Sequence, residues 1–311
     1  MMNLNLVVRL LLVLSISSLF YSFSYIKEQP YVVILGIAQD GGAPHAACEK
    51  TCCIDKWNDP NLHNKVSSIG IVDPVSNEVW MIDATPDFAE QLHLLTNNNK
   101  RELKGIFLTH AHIGHYTGLI HLGREVMGAK STVVNVMHKM ESFLRNNGPW
   151  SQLVDLKNIS LSGLSDNKKV QLNSRLSIIP FKVPHRDEFS ETVGYKIYGP
   201  NKTALFIPDI DKWYLWEKSI IDEIKKVDYA FIDATFFDNA EVNYRDISEI
   251  PHPFIVESMQ LFESLSPEEK SKIHFIHFNH TNPALNPESE KYKMIIKKGF
   301  KVARFGATLK L

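Results

Sequence analysis

Residues 108–119 read LTHAHIGHYTGL and place three histidines, His110, His112 and His115, within six positions, directly behind the apolar run 105–109. A short apolar run bounded by polar residues predicts a strand, so the imidazoles stand where the chain leaves a sheet. Packing does not explain the cluster, because each buried neutral imidazole needs a partner for both ring nitrogens. Two histidines two positions apart at a strand end can instead converge on one ion. The fold must then bring further donors to the same place, and open sheets gather ligands at their carboxyl-terminal strand ends.

The rest of the chain offers such ends. Short β-rich runs are expected at 31–37, 67–73, 78–83, 105–109, 132–137, 176–183, 192–198, 203–207, 229–233 and 272–278. Between them, helices are expected near 117–127, 139–147, 211–225, 255–264, 267–271 and 287–297, with Ser266, Pro267 and Glu269 forming a capping box. Another helix is expected after Thr85 as cap and Pro86 as first helical residue, with Phe88, Leu92 and Leu95 on one face. This alternation predicts an α/β fold with helices outside the sheets. No internal repeat or linker interrupts it, so one domain is expected over 30–311.

The first 25 residues differ in kind. One cation, Arg9, precedes an almost unbroken apolar stretch, Leu10 to Tyr25, which predicts a signal peptide or, uncleaved, a membrane anchor. The remainder is then exported, periplasmic or extracellular, or tethered, with the membrane touched only through this segment. Lys+Arg 34 against Asp+Glu 35, with no basic run, offers nucleic acid no attraction. The expected partner is a small molecule held locally; oligomeric state is left open.

Three more polar residues end apolar runs: His185 in VPHRDEF, Asp209 in FIPDIDKW and His280 in HFNHTNP. At this point THAHIGHYTGL resembles the H-x-H-x-D-H motif of the metallo-β-lactamase superfamily, and the downstream His, Asp, His order is similar too. LGIAQDGGAPHAAC and IHFNHTNP are similar to the pyrroloquinoline quinone biosynthesis protein B family, while FIDATFF resembles the ribonuclease Z and cyclic-phosphate phosphodiesterase branch. The resemblance implies a four-layer αβ/βα sandwich. It implies one metal on His110, His112 and His185, with Asp209 bridging to a second on His115 and His280. Zn2+ is expected, one or two ions, with Mn2+ or Fe2+ as alternatives. A metal-activated water would attack a small ester, lactone or phosphodiester, the last slightly favoured, with Asp209 and His115 as the catalytic pair.

Gly114 departs from the motif, standing where the superfamily offers a carboxylate. The centre is therefore expected to be mononuclear or asymmetric, or to be completed by an anionic substrate. Asp40 is an alternative carboxylate for the gap, but QDGGAP reads first as a turn. Asp211 reads as a helix cap and Asp233 as a strand-end or supporting carboxylate. His45, His63, His93, His121, His138 and His252 show no partner pattern and are read as structural or exposed, and Trp150, Trp213 and Trp216 as core.

Cys48, Cys52 and Cys53 leave an odd count. Either they hold a structural metal with a fourth ligand, as the resemblance implies, or Cys48 forms a disulfide with one of the pair. Two other functions stay open: an iron-dependent oxidoreductase on the same fold, and a non-catalytic metal-binding protein. An export signal argues against a step in quinone cofactor synthesis on a cytosolic precursor.

Overall fold

The computed structural model describes residues 28–242 and 246–311. The N-terminal apolar segment, expected to be a signal or anchor, lies outside the described residues, and among these no helix is long and apolar enough to cross a membrane.

Two seven-stranded sheets face each other. The first contains β1 (Tyr31–Gly36), β2 (Ser68–Asp73), β3 (Glu78–Ile82), β4 (Glu102–Phe107), β5 (Thr132–Val136) and β6 (Ile159–Gly163) in sequence order. The second runs from β7 (Val170–Gln171) through β8 (Ser177–Lys182), β9 (Val193–Tyr198), β10 (Thr203–Ile207), β11 (Tyr229–Asp233) and β12 (Ile273–Ile276) to β13 (Lys301–Val302). The chain then crosses back, and β14 (Thr308–Lys310) pairs antiparallel with β1.

The period of two in the strands creates the layers. In β1, Val32 and Ile34 enter the core shared by the two sheets, whereas Val33 and Leu35 enter a second core beneath the helices. In β3, Trp80 and Ile82 face the shared core, and Val79 and Met81 the outer one. A strand buried on both faces reads as a continuous apolar run, which is why YVVILG and VWMI do not alternate. Outside the first sheet lie α2 (Phe88–Leu95), α4 (His138–Asn146) and α5 (Trp150–Asp155), contributing Phe88, Leu95, Met140, Leu144 and Leu153. Outside the second lie α6 (Ile220–Lys225), α7 (Ile255–Leu261) and α9 (Glu290–Lys297), with Ile224, Met259 and Ile295 inward; α8 (Pro267–Ser271) leads into β12. Helices this short are unstable alone, so sheet packing holds them. The expected four-layer sandwich is the observed one.

Several local expectations shift. Strand β4 spans Glu102–Phe107 rather than 105–109, because it pairs in parallel with β3 from Glu78 onward. The helix expected at 117–127 is instead one α-turn, α3 (Ile113–Tyr116), followed by a 3-10 stretch over Thr117–Leu122. There Gly118 is needed: a Cβ on it would lie 2.1 Å from the Thr85 carbonyl oxygen. The helix after Thr85 starts at Phe88, with Asp87 at the cap position, while the Thr85 hydroxyl accepts from the Asp87 N–H at 3.0 Å. The span 211–225 breaks into a 3-10 turn at Trp213–Leu215 and α6, capped by Ser219. Tertiary contacts outbid helix continuity here: Trp213 donates to Ser258 and Trp216 to the Lys182 carbonyl, and both indoles are buried. Ser266 caps α8 as expected. Helix α1 (Thr51–Asn58), α5, and the short strands β6, β7, β13 and β14 had no expectation, since their apolar patterns are too brief to show a period.

Strands β3, β4 and β5 are mutually parallel, as are β10, β11, β12 and β13. Their carboxyl ends carry the polar residues that follow.

Candidate metal centre

Three chain segments bring four residues to a first pocket, each with one nitrogen or oxygen: His110, His112, His185 and Asp209. His110 Nε2 lies 2.9 Å from His112 Nδ1 and 3.3 Å from Asp209 Oδ2; His185 Nε2 lies 3.3 Å from His112 Nδ1 and 3.2 Å from the same Oδ2. Ligands about 2.0–2.1 Å from a tetrahedral ion stand roughly 3.3 Å from one another. The observed separations are those of a coordination shell.

The outer nitrogens settle which lone pair points inward. His185 Nδ1 donates to Asp211 Oδ1 at 3.0 Å, and His112 Nε2 to Glu188 Oε2 at 3.2 Å. The Thr109 hydroxyl donates to Asp83 and therefore accepts from His110 Nδ1, at 3.0 Å. Each ring is thus fixed in the tautomer a metal ligand requires, with its free lone pair in the pocket. Asp211, expected to cap a helix, performs this orientation instead; the following 3-10 turn has Lys212 at its cap position and no side-chain cap.

A second pocket adjoins the first. His115 Nδ1 donates to the buried Asp83 at 2.8 Å, and the Thr235 hydroxyl, which donates to Asp233 at 2.7 Å, accepts from His277 Nδ1 at 3.0 Å. The freed Nε2 atoms of His115 and His277 come together with the Asp40 carboxylate. Asp40 Oδ1, His115 Nε2 and His277 Nε2 are all buried without a hydrogen-bond partner, although Oδ1 and the His115 nitrogen stand 3.3 Å apart. Lone pairs aimed at a common point rather than at each other are a costly arrangement unless a cation sits between them.

The position expected for His280 is therefore filled by His277. His277 is the first residue past β12, as close to its strand end as Asp83 is to that of β3, and its φ of 67° turns the chain there. His280, three residues later, belongs to a different group with Cys48, Cys52 and Cys53. Those cysteines are free, with Cys52 Sγ 3.9 Å from each of its neighbours' sulfurs. The tetrahedral edge for a bond of about 2.3 Å from zinc to sulfur is close to 3.8 Å, far beyond an S–S bond. His280 Nδ1 is engaged by Asn279 Oδ1 at 3.0 Å, and its ring stacks on His45 at 4.4 Å, which leaves Nε2 available.

His252, expected to be structural or exposed, is neither exposed nor isolated. Its Nδ1 lies 2.9 Å from Asp233 and 3.2 Å from Asp209 Oδ1. Burial opposes a charge on this ring, but Asp233 and Asp209 hold its proton up to about 10. Nδ1–H donates to Asp233 and places its positive charge beside Asp209 Oδ1. Asp209 itself is buried, which raises its carboxyl, yet His185 and His252 hold it well below the usual range. His115 is likewise held protonated in the absence of a cation: burial lowers it, but Asp83 and Asp40 carry it well above the ordinary imidazole value. The pocket asks for positive charge. Asp233, expected as a supporting carboxylate, supports His252 directly and His277 through Thr235. Only the Pro-flanked sequence IPHPF set His252 apart, whereas Asp83 ends the run VWMID just as Asp233 ends YAFID.

The donor set, imidazoles plus carboxylates in a largely buried pocket, fits divalent transition metals. Comparison with known proteins agrees. A family model described as a β-lactamase superfamily domain matches residues 80–275, which include His110, His112, His115, His185, Asp209 and His252. The coenzyme PQQ synthesis protein B of Methylorubrum extorquens (strain PA1) is 23% identical over 311 residues, covering 90% of this chain and 100% of that protein. The solved structure of Zn2+-bound PqqB from Methylobacterium extorquens matches with a TM-score of 0.74 at 21% identity, covering 90% of this chain and 100% of that one. A diphosphatase from the PhnP family matches with a TM-score of 0.67 at 19% identity, covering 91% and 98%. With paired sheets, a histidine motif at a strand end and a family match over more than half its length, the chain belongs to the metallo-β-lactamase superfamily.

Proposed function

We propose that the chain is a metal-dependent hydrolase of small phosphodiesters, with zinc in the pockets around Asp209. The observation that carries this reading is the common orientation of five rings: His110, His112, His115, His185 and His277 each have the outer nitrogen engaged and the inner lone pair free. Three imidazoles and one carboxylate at tetrahedral spacing suit zinc.

A divalent ion in such a pocket acts as a Lewis acid and lowers the pKa of a bound water to about 7. The chain's residues prepare that chemistry. Asp209 presents Oδ2 to the first pocket, with the His252 ring 3.2 Å from its Oδ1. Next to the His112–Glu188 pair, the flanking Ile113 and Phe189 are 60% and 59% exposed and Glu188 is half-exposed. With two divalent ions held among these residues, the site would favour an anionic ester over a neutral one. The similarity to a diphosphatase fold supports the same preference.

The cysteine group with His280 is best assigned to a structural zinc, closed by four protein ligands.

Turnover of bis(p-nitrophenyl) phosphate by the metal-reconstituted protein, alongside a lactone and a carboxylic ester, tests the reading. Chelator-sensitive cleavage with the phosphodiester preferred is expected. Metal-loaded protein that leaves all three substrates intact overturns it.

A further inference from the structure

Gly114 stands where the superfamily motif carries a carboxylate, and the atoms that crowd its Cβ position come from some seventy residues upstream. A Cβ built on Gly114 would lie 2.2 Å from Asp40 Oδ1 and 2.6 Å from the Asp40 Cα. No side chain fits there while Asp40 keeps its place. The contact involves the backbone of Asp40 as well as its carboxylate, so a rotamer change does not relieve it.

The turn that carries Asp40 is fixed from several sides. Gln39 N–H donates to the Phe278 carbonyl at 2.8 Å, and Gly42 N–H to the Gln39 carbonyl at 2.8 Å, with Gly42 at a φ of 68°. Ala38 bridges both Val66 and Phe278. Phe278 follows His277, so the loop of Asp40 is joined to the strand end that supplies the second pocket's other imidazole. QDGGAP is a turn, and it is a turn aimed at the metal centre.

We propose that Asp40 and Gly114 are an exchanged pair: Asp40 supplies the carboxylate of the second metal pocket, and Gly114 lacks a side chain because Asp40 fills its space. The proposal rests on the metal-centre reading above and deepens it. Asp40 Oδ1, His115 Nε2 and His277 Nε2 form the ligand set, with Asp209 Oδ2 4.0 Å from the His115 nitrogen on the wall between the pockets. The absent motif carboxylate then leaves no deficit. It has been relocated from the histidine turn to the loop after β1, and the centre holds two ions rather than one.

Metal equivalents retained after dialysis, and the affinity of each by chelator competition, test this without reference to turnover. In the wild-type protein two ions are expected at the centre, beside the one assigned to the cysteine group. The near-isosteric Asp40→Asn is expected to weaken the second ion at the centre by roughly 100-fold or more, at or above the upper end seen when only a ligand's supporting partner is lost. Gly114→Ala removes no donor but must displace Asp40, and the same loss is expected. In the double variant Asp40→Gly with Gly114→Asp, the second ion is expected to return. Retention of both ions by Asp40→Asn and Gly114→Ala with unchanged affinity overturns the exchange, and so does a wild-type centre holding one ion. A wild type that takes up no ion around Asp209 overturns the hydrolase reading itself, which separates the two failures.

Discussion

The two pockets on either side of Asp209 are made from similar parts and differ in how those parts are held. In the first, His110, His112 and His185 already stand 2.9–3.3 Å from neighbouring donors. Their outer nitrogens rest on Thr109, Glu188 and Asp211, one support per ring. In the second, His115 rests directly on the buried Asp83 and His277 on Thr235, while the carboxylate arrives on a turn from the start of the chain. Its inward atoms, Asp40 Oδ1 and the two Nε2 nitrogens, have no hydrogen-bond partner. The first pocket is thus assembled by its own ligands, whereas the second depends on the docking of a distant loop. The contrast predicts tight binding in one and conditional binding in the other.

The largest effect comes from breaking the first pocket. Replacing His110 and His112 together by alanine is expected to abolish its ion and lower turnover by on the order of 10³-fold, the equivalent of several kcal/mol of lost charge stabilisation. Elemental analysis and phosphodiester kinetics check this; an unchanged metal content would remove the basis of the comparison.

A weaker perturbation separates the supports. Asp211→Ala leaves every ligand in place but releases His185 Nδ1. Affinity in the first pocket is expected to fall about 10–100-fold, with the second ion unaffected by competition titration. Equal weakening of both ions would show that the pockets share their supports.

His280→Ala removes a donor from the cysteine group and none from either pocket. One metal equivalent and several degrees of melting temperature are expected to be lost, while kcat per folded molecule changes little. A collapse of kcat with intact cysteine-bound metal would return His280 to the centre.

The smallest functional effect concerns His274, which shares β12 with the approach to His277 but lines a separate cavity with Tyr292, Lys301 and Arg304. Burial, with Lys301 nearby, lowers its pKa to about 4. The unfolded ring binds its proton near 6.5 and the folded one near 4, so the unfolded state holds more protons between these values. Stability is therefore full above about pH 6.5 and declines as pH falls toward 4. His274→Phe is expected to flatten that decline and leave metal content unchanged, raising stability at pH 5 by up to about 2 kcal/mol. Denaturation at pH 5 and 8 measures it, and an equal gain at both values contradicts the titration.

Much of the centre was legible because its chemistry is local. THAHIGHYTGL concentrates three donors behind one strand, and His185 and Asp209 each end an apolar run. His277 and His280 were harder to separate, since both follow the same strand within a few residues. Only the backbone turn at His277 decides which ring faces the ion. Asp83, Asp211 and His252 act through other side chains, and a supporting role leaves no spacing signature. The strands of the two sheets were largely visible from their apolar runs, whereas short edge elements such as β7 and β13, two residues each, were not.

By itself the sequence determined the layered α/β order and the identity of most donors, because strand burial and imidazole chemistry are written in neighbouring residues. Tertiary structure decided which carboxylate faces His115, which histidine closes the second pocket and which joins the cysteines. Those choices depend on atoms meeting across dozens of residues, as Asp40 meets Gly114. Steric exclusion between distant segments has no period and no motif; it exists only once the chain has closed.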